Sequence, residues 1–257
     1  RWLPQLSSQN AQGEYYLTDV IALAAAECTQ IQTVLASNEI EVLGVNDRLQ
    51  QSQLERAYQL QQAQSLMREG LTLADPYRFD VRGNLQVGQD CYVDINCIFE
   101  GDCVLGRGVE IGPNCVIKNA HIGDGAHIYA NTIVEDSQID AGCIVGPYAR
   151  LRPGTHLKTQ AKIGNFVEIK KAIIGEGSKV NHLSYIGDAF LGDDVNIGAG
   201  TITCNYDGVN KHVTQVGSNC FIGANSTLVA PLKVGDNATI AAGSTITTSV
   251  QKDELVV

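Results

Sequence analysis

The chain has 257 residues, of which 44% are hydrophobic and 18% charged, and its net charge is −10. That balance fits a soluble globular protein and argues against a general nucleic-acid surface, so any phosphate chemistry needs a local cationic cluster. No long apolar run is present, which excludes a membrane-spanning helix and integral membrane contact.

The sequence opens at Arg1 with neither an initiator Met nor a signal peptide, and reads as a piece of a longer chain. Residues 1–46 combine Tyr15-Tyr16-Leu17-Thr18, an Ala-rich helical stretch and Ile31–Leu35, the pattern expected at the end of an α/β domain. Residues 47–72 read as a linker helix. Asp47–Glu69 is rich in Gln, Leu, Glu and Arg, and Gly70 suits its C-terminal cap. At that length the helix spans roughly 35 Å and reads as a rigid connector.

Residues 73–257 carry a repeat. From Val87 an aliphatic or similar residue recurs every six positions, through Val93, Phe99, Leu105, Ile111 and Ile117. Short steps lead into the runs that start at Ile122, Ile139, Ile174 and Leu191. The pattern pauses at Cys204–Gln215 and resumes from Val216 to Ile246. Six residues are too few for a helix and match a short strand plus a turn. Three such units close a triangular coil of about 18 residues, and stacked coils bury a continuous apolar column. Six of the eight cysteines (Cys91, Cys97, Cys103, Cys115, Cys143 and Cys220) fall in the small-residue slot of the repeat. With no Cys-x-x-Cys pair they read as small buried hydrophobes rather than zinc ligands, in a reduced, cytoplasmic protein.

The register sorts polar residues by corner. At one corner Arg152 and Lys170 stack on adjacent coils, with Tyr185 one coil further and Glu168 beside them. Two stacked cations repel unless an anion lies between them, so the corner is either a solvated basic edge or a phosphate site. At another corner one turn slot holds His182, Ala199, Ala224 and Ala242. These small residues either suit tight turns or leave a groove, roughly 14 Å long at strand spacing, for an extended pantetheine arm. His121, His127 and His156 each precede an inward position and read as surface residues, so three convergent histidines for zinc are not supplied. The Cys204–Gln215 interruption is either a plain excursion or a functional loop, with Asn205, Tyr206 and Lys211 as its polar content.

Several stretches carry a closer resemblance. They are Val-Asn-Asp-Arg-Leu-Gln at 45–50, Leu-Arg-Pro-Gly at 151–154, Gly-Asn-Phe-Val-Glu-Ile-Lys-Lys at 164–171, Asn-His-Leu-Ser-Tyr-Ile-Gly-Asp at 181–188 and Asn-Ile-Gly-Ala-Gly-Thr-Ile-Thr-Cys-Asn-Tyr-Asp-Gly at 196–208. Over essentially the whole chain these resemble the bifunctional N-acetylglucosamine-1-phosphate uridyltransferase/glucosamine-1-phosphate N-acetyltransferase family. The resemblance implies a left-handed parallel β-helix, since periodicity does not give the hand and ordinary crossovers are right-handed. It also implies acetyl transfer from acetyl-CoA to glucosamine-1-phosphate, toward UDP-N-acetylglucosamine for cell-wall synthesis, in a homotrimer.

By the same resemblance His182 is the general base, and Asn205 helps to orient the amine or the base. Arg152, Lys170, Tyr185 and Asn196 bind the sugar phosphate, with Lys211 nearby. Ala199, Asn205, Tyr206, Ala224 and Ala242 line the acetyl-CoA site, although Ala224 stands where the family often carries Ser. Asn46 matches a magnesium ligand of the uridyltransferase site, whose partner carboxylate and glycine-rich nucleotide loop are not in this sequence. Uridyl transfer is therefore expected of the whole protein and not of this chain. The family's basic C-terminal tail would follow Val257. A different hexapeptide acyltransferase and a purely structural β-helix are the competing readings, and the His182 column with Arg152 and Lys170 favours an enzyme. One face of extended residues separates the two corners by roughly 16 Å, too far for one small substrate, so the expected active site lies between chains.

Overall fold

Short parallel strands stacked in register build the larger of two units. The computed structural model describes residues 1–257, divided into Arg1–Gln51 and Ser52–Val257.

The smaller unit contains helix α1 (Asp19–Ala26) and two single-turn 3-10 segments, Leu3–Gln5 and Glu39–Val42. It holds no strand: Tyr15–Thr18 and Ile31–Leu35 lie outside any sheet.

Helix α2 runs from Arg48 to Arg68, shorter at both ends than the 47–72 segment read from composition. Asp47 caps its start, accepting from the Gln50 N–H at 2.7 Å. Gly70 closes its end at φ +115°, and the Leu71 N–H returns to the Leu66 carbonyl at 3.0 Å. The helix is more than a connector, because Gln59, Ala63 and Leu66 are buried. Strand Phe79–Val87 has a sheet neighbour on one side only, Cys97–Leu105. On its open side the Gln59 side chain accepts from Val81 N at 2.8 Å and donates to Val81 O at 2.9 Å. The helix thus covers an edge that would otherwise invite pairing.

Beyond that edge the chain winds as a parallel β-helix with three faces. One face is an eleven-stranded sheet. The other two join as a fifteen-stranded sheet, because strands such as Glu168–Ile174 and Tyr185–Leu191 continue around a corner. The register matches the repeat: Leu151 pairs with Ile169 and Ile169 with Ile186 on the second face. On the first face Ile163 pairs with Val180, Val180 with Ile197, Ile197 with Ile222 and Ile222 with Ile240. The coils begin before Val87: Leu73 stacks on Val93 and Val81 on Phe99.

The six repeat cysteines are buried, as their slot requires. That slot recurs at all three corners, so they spread over three interior columns shared with Ala, Ser, Thr and Val. Cys97 and Cys115 share one column on adjacent coils. Cys91, Cys143 and Cys220 line another, and Cys103 the third. Burial pushes the thiols of Cys91, Cys103 and Cys220 up, and that of Cys143 to about 11. Neutral thiols of this kind pack as small hydrophobes.

Candidate active site

The turn that joins the first face to the second repeats on every coil. In it His182 stands above Asn165, and their backbones are paired. Above His182 come Ala199, Ala224 and Ala242, fixed by the ladders and by turn bonds from Gly200 N to His182 O, Asn225 N to Ala199 O and Gly243 N to Ala224 O. Ala199 and Ala224 are half-buried and Ala242 is exposed. A methyl group on Gly198 would sit 2.5 Å from Ala224 N, so glycine lets the coils close at this corner. The result is a groove floored by backbone and Cβ atoms, with the exposed His182 imidazole at its head. Its Nδ1 lies 3.0 Å from Asn165 Oδ1.

The next slot of the same turn is unusual. Elsewhere it holds Asn131, Gly200, Asn225 and Gly243, residues that tolerate positive φ. Around His182 it holds Tyr148, Phe166 and Leu183, at φ 55°, 55° and 50°. Each such bulky residue costs about 1–2 kcal/mol in that conformation. All three side chains are exposed, at 53%, 56% and 63%. The Tyr148 and Phe166 rings stack at 5.3 Å.

The turn from the second face to the third carries the cations. Lys170 pairs with Gly187 and Leu151 with Ile169, so Arg152, Lys170 and Gly187 occupy one slot on three coils. Each cation has a carboxylate: Arg152 Nη1 donates to Glu168 Oε1 at 2.8 Å, and Lys170 Nζ to Asp188 Oδ2 at 3.4 Å. The side chain of Asp188 is only 5% exposed, and Lys171 approaches its other oxygen at 3.9 Å. Tyr185 pairs with Glu168 rather than with Lys170, yet its phenol lies over Gly187, where a Cβ would collide with the ring. That direction carries the hydroxyl toward the cationic slot.

The excursion is shorter than the sequence pattern suggested. Ile202–Cys204 and Thr214–Val216 are strands, leaving residues 205–213 as the loop. Its base is pinned by the Asn205 amide, which donates to Asp188 Oδ2. Tyr206 and Lys211 form an antiparallel bridge, and His212 Nε2 meets Asp207 Oδ2 at 2.6 Å. Two backbone N–H donors and His212 hold the Asp207 carboxyl well below the usual carboxylate range. The buried Asp188 carboxylate favours the Lys170 ammonium and holds it above its ordinary range, while the nearby Lys170 cation pushes Lys211 below its own.

Residues 84–119 match the bacterial transferase hexapeptide family (six repeats), and residues 213–248 the hexapeptide repeat of succinyl-transferase. The chain is 59% identical over all its 257 residues to the bifunctional protein GlmU of Marinobacter nauticus. It is 63% identical over 254 residues to that of Marinomonas sp.. The first match covers 57% of the relative's length and the second 56%, so the chain spans little more than half of these curated relatives. The chain is thus similar, over its whole length, to little more than half of a GlmU protein, the part that carries the hexapeptide repeats. Among solved structures it is similar to LpxA from Acinetobacter baumannii, at 16% identity and a TM-score of 0.41, over 69% of this chain and 67% of that one.

Against the residues expected from the GlmU resemblance, the structure forms two groups. Lys170, Asn205 and Lys211 come together around Asp188, with Arg152 one coil below Lys170 in the same slot and the Tyr185 phenol over Gly187. His182, Ala199, Ala224 and Ala242 come together at the other corner. Asn196 lies on the first face in register with Lys179 and Phe221, apart from the cationic corner. Tyr206 is on the exposed loop, its hydroxyl donating to Gly208 O at 2.5 Å. Cys204 is half-buried at the loop base.

Asn46 is exposed, and neighbouring Asp47 is committed to capping α2. No group of three or more His, Cys, Asp or Glu side chains is placed so that it could hold a metal ion. The residues around Asn46 therefore do not fit a magnesium site by themselves. Sequence reasoning missed Asp188, Asn165 and Gly187. All three lie inside the stretches that carry the resemblance, but turn positions do not reveal which way their side chains reach.

Proposed function

We propose that this chain is a glucosamine-1-phosphate N-acetyltransferase that uses acetyl-CoA, and that it works as a cytoplasmic homotrimer of left-handed β-helices. The observation that carries the reading is the separation of two complementary groups by one face: an imidazole heading a small-residue groove, and a cationic corner with a phenol laid toward it.

The groove admits an extended pantetheine arm, whose amides can pair with turn backbone groups. Arg152 offers a forked donor and Lys170 a point charge to a phosphate. The attacking amine must be neutral, and the free imidazole nitrogen of His182 accepts its proton. The N–C bond forms as the thioester C–S bond breaks. The imidazolium then returns the proton to the leaving thiolate, releasing CoA as the thiol. Turn N–H groups stabilise the developing oxyanion, and no acyl-enzyme on Cys204 is required.

The exposed Tyr148–Phe166–Leu183 ladder beside His182 supports self-assembly. Bulky residues in strained, open turns suit burial against another copy. A cyclic contact of one chain's His182 corner with its neighbour's Arg152 corner closes at three copies and makes three interfacial sites. Asn196, on the His182 face, would reach the sugar there. Uridyl transfer with magnesium belongs to the whole GlmU protein in this reading, with Asn46 contributing to a site completed by residues outside this chain.

CoA release with glucosamine-1-phosphate should exceed that with glucosamine or glucosamine-6-phosphate. His182→Ala should lower the rate by roughly 10²–10⁴-fold with unchanged unfolding behaviour. A near-wild-type rate in that variant would remove His182 from the mechanism.

A further inference from the structure

We infer that Asn165 is a positioning residue that sets the tautomer of His182, presenting Nε2 as the unprotonated nitrogen. The inference rests on the acetyltransferase reading for its catalytic meaning, but its geometry stands independently. Asn165 and His182 are paired on adjacent strands, so their side chains leave the same face of the same turn. Asn165 Oδ1 lies 3.0 Å from His182 Nδ1. A carbonyl oxygen only accepts, so the ring nitrogen facing it must carry the proton. In a neutral imidazole the other nitrogen is then the base.

No second partner competes. The neighbouring strands carry Lys162 and Lys179 on the first face and Glu168 and Tyr185 at the start of the second, with Lys170, Lys171 and Asp188 grouped at its far corner. None of them makes a hydrogen bond or ion pair with the ring, and the coil above presents only Ala199. The imidazole is otherwise exposed and would be free to rotate and to exchange tautomers. Asn165 also serves the fold through its backbone, since its carbonyl accepts from Leu183 N at 3.2 Å, a bond that side-chain substitution leaves in place.

Long-range proton–nitrogen NMR on ¹⁵N-histidine protein reads the tautomer directly, with the His182 signals assigned by their loss in His182→Ala. The wild type above its histidine pKa should show Nδ1–H at His182, and Asn165→Ala should shift the ring toward Nε2–H. In the same variant kcat should fall on the order of tenfold, part of what a general base supplies, with KM for both substrates little changed. Asn165→Asp, which places a carboxylate at Nδ1, should favour the imidazolium and move the acid limb of the rate profile to higher pH. A wild-type Nε2–H tautomer, or a tautomer unchanged in Asn165→Ala, would overturn the assignment. An inactive wild type with the expected tautomer would instead count against the acetyltransferase reading.

Discussion

Asn205 donates its side-chain amide to the buried carboxylate of Asp188, the same carboxylate that meets Lys170 at 3.4 Å. One side chain therefore fixes both the base of the 205–213 loop and a cation of the second-to-third-face corner. Asp188→Ala leaves a buried amide without its acceptor and should cost roughly 1–3 kcal/mol. Asp188→Asn keeps an acceptor oxygen for Asn205 and should recover most of that loss. Urea unfolding of the three proteins measures both effects. Equal stability of Asp188→Ala and wild type would show that the loop is anchored elsewhere.

Arg152 and Lys170 are each offset by one carboxylate, so the corner keeps donors free for an anion. Arg152→Ala or Lys170→Ala should weaken glucosamine-1-phosphate binding far more than acetyl-CoA binding. Calorimetric titration with each ligand decides this. Equal losses for both ligands would make the corner structural.

Gly187 is the floor beneath the Tyr185 phenol, and a Cβ there would collide with the ring. Gly187→Ala should turn the phenol away from the cationic slot. It should raise KM for the amino-sugar phosphate several-fold and leave that for acetyl-CoA unchanged. An unaltered KM would mean that Tyr185 does not act from the position seen here.

Thiol accessibility separates the cysteines. Cys28 is exposed and Cys204 half-buried, while the six repeat cysteines are buried. Treating native protein with a chromogenic disulfide reagent should modify Cys28 quickly and Cys204 slowly. The other six should react only after unfolding. Rapid native modification of Cys97 or Cys143 would contradict the interior columns.

Much of this architecture was legible because a six-residue repeat writes its register into the sequence. Inward residues such as Ile163, Val180 and Ile197 could be counted off, and the His182–Ala199–Ala224–Ala242 column followed from the same count. The repeat could be counted only from Val87, because Leu73 and Val81 are spaced too widely for it, although the domain was read from residue 73. The role of α2 was hidden too, since a polar Gln59 rather than an apolar stripe makes its buried contact. Asp188 and Tyr185 show the limit of register at the site. It places a Cα on a coil, but long side chains cross to a neighbouring slot, as the Tyr185 phenol does over Gly187. Within the repeat, nothing marked Tyr148, Phe166 and Leu183 as exposed until the backbone showed them in left-handed turns.

The central claim is that one active site is shared by two chains, with the His182 corner of one facing the Arg152 corner of the next. Mixed oligomers of His182→Ala and Arg152→Ala chains, each inactive alone, test it most directly. Refolding the two variants together should regain a partial acetyl-transfer rate, because some interfaces would then join an intact His182 corner to an intact Arg152 corner. Mixed oligomers verified by differential tags that remain as inactive as either parent would contradict it and return both halves of the site to a single chain.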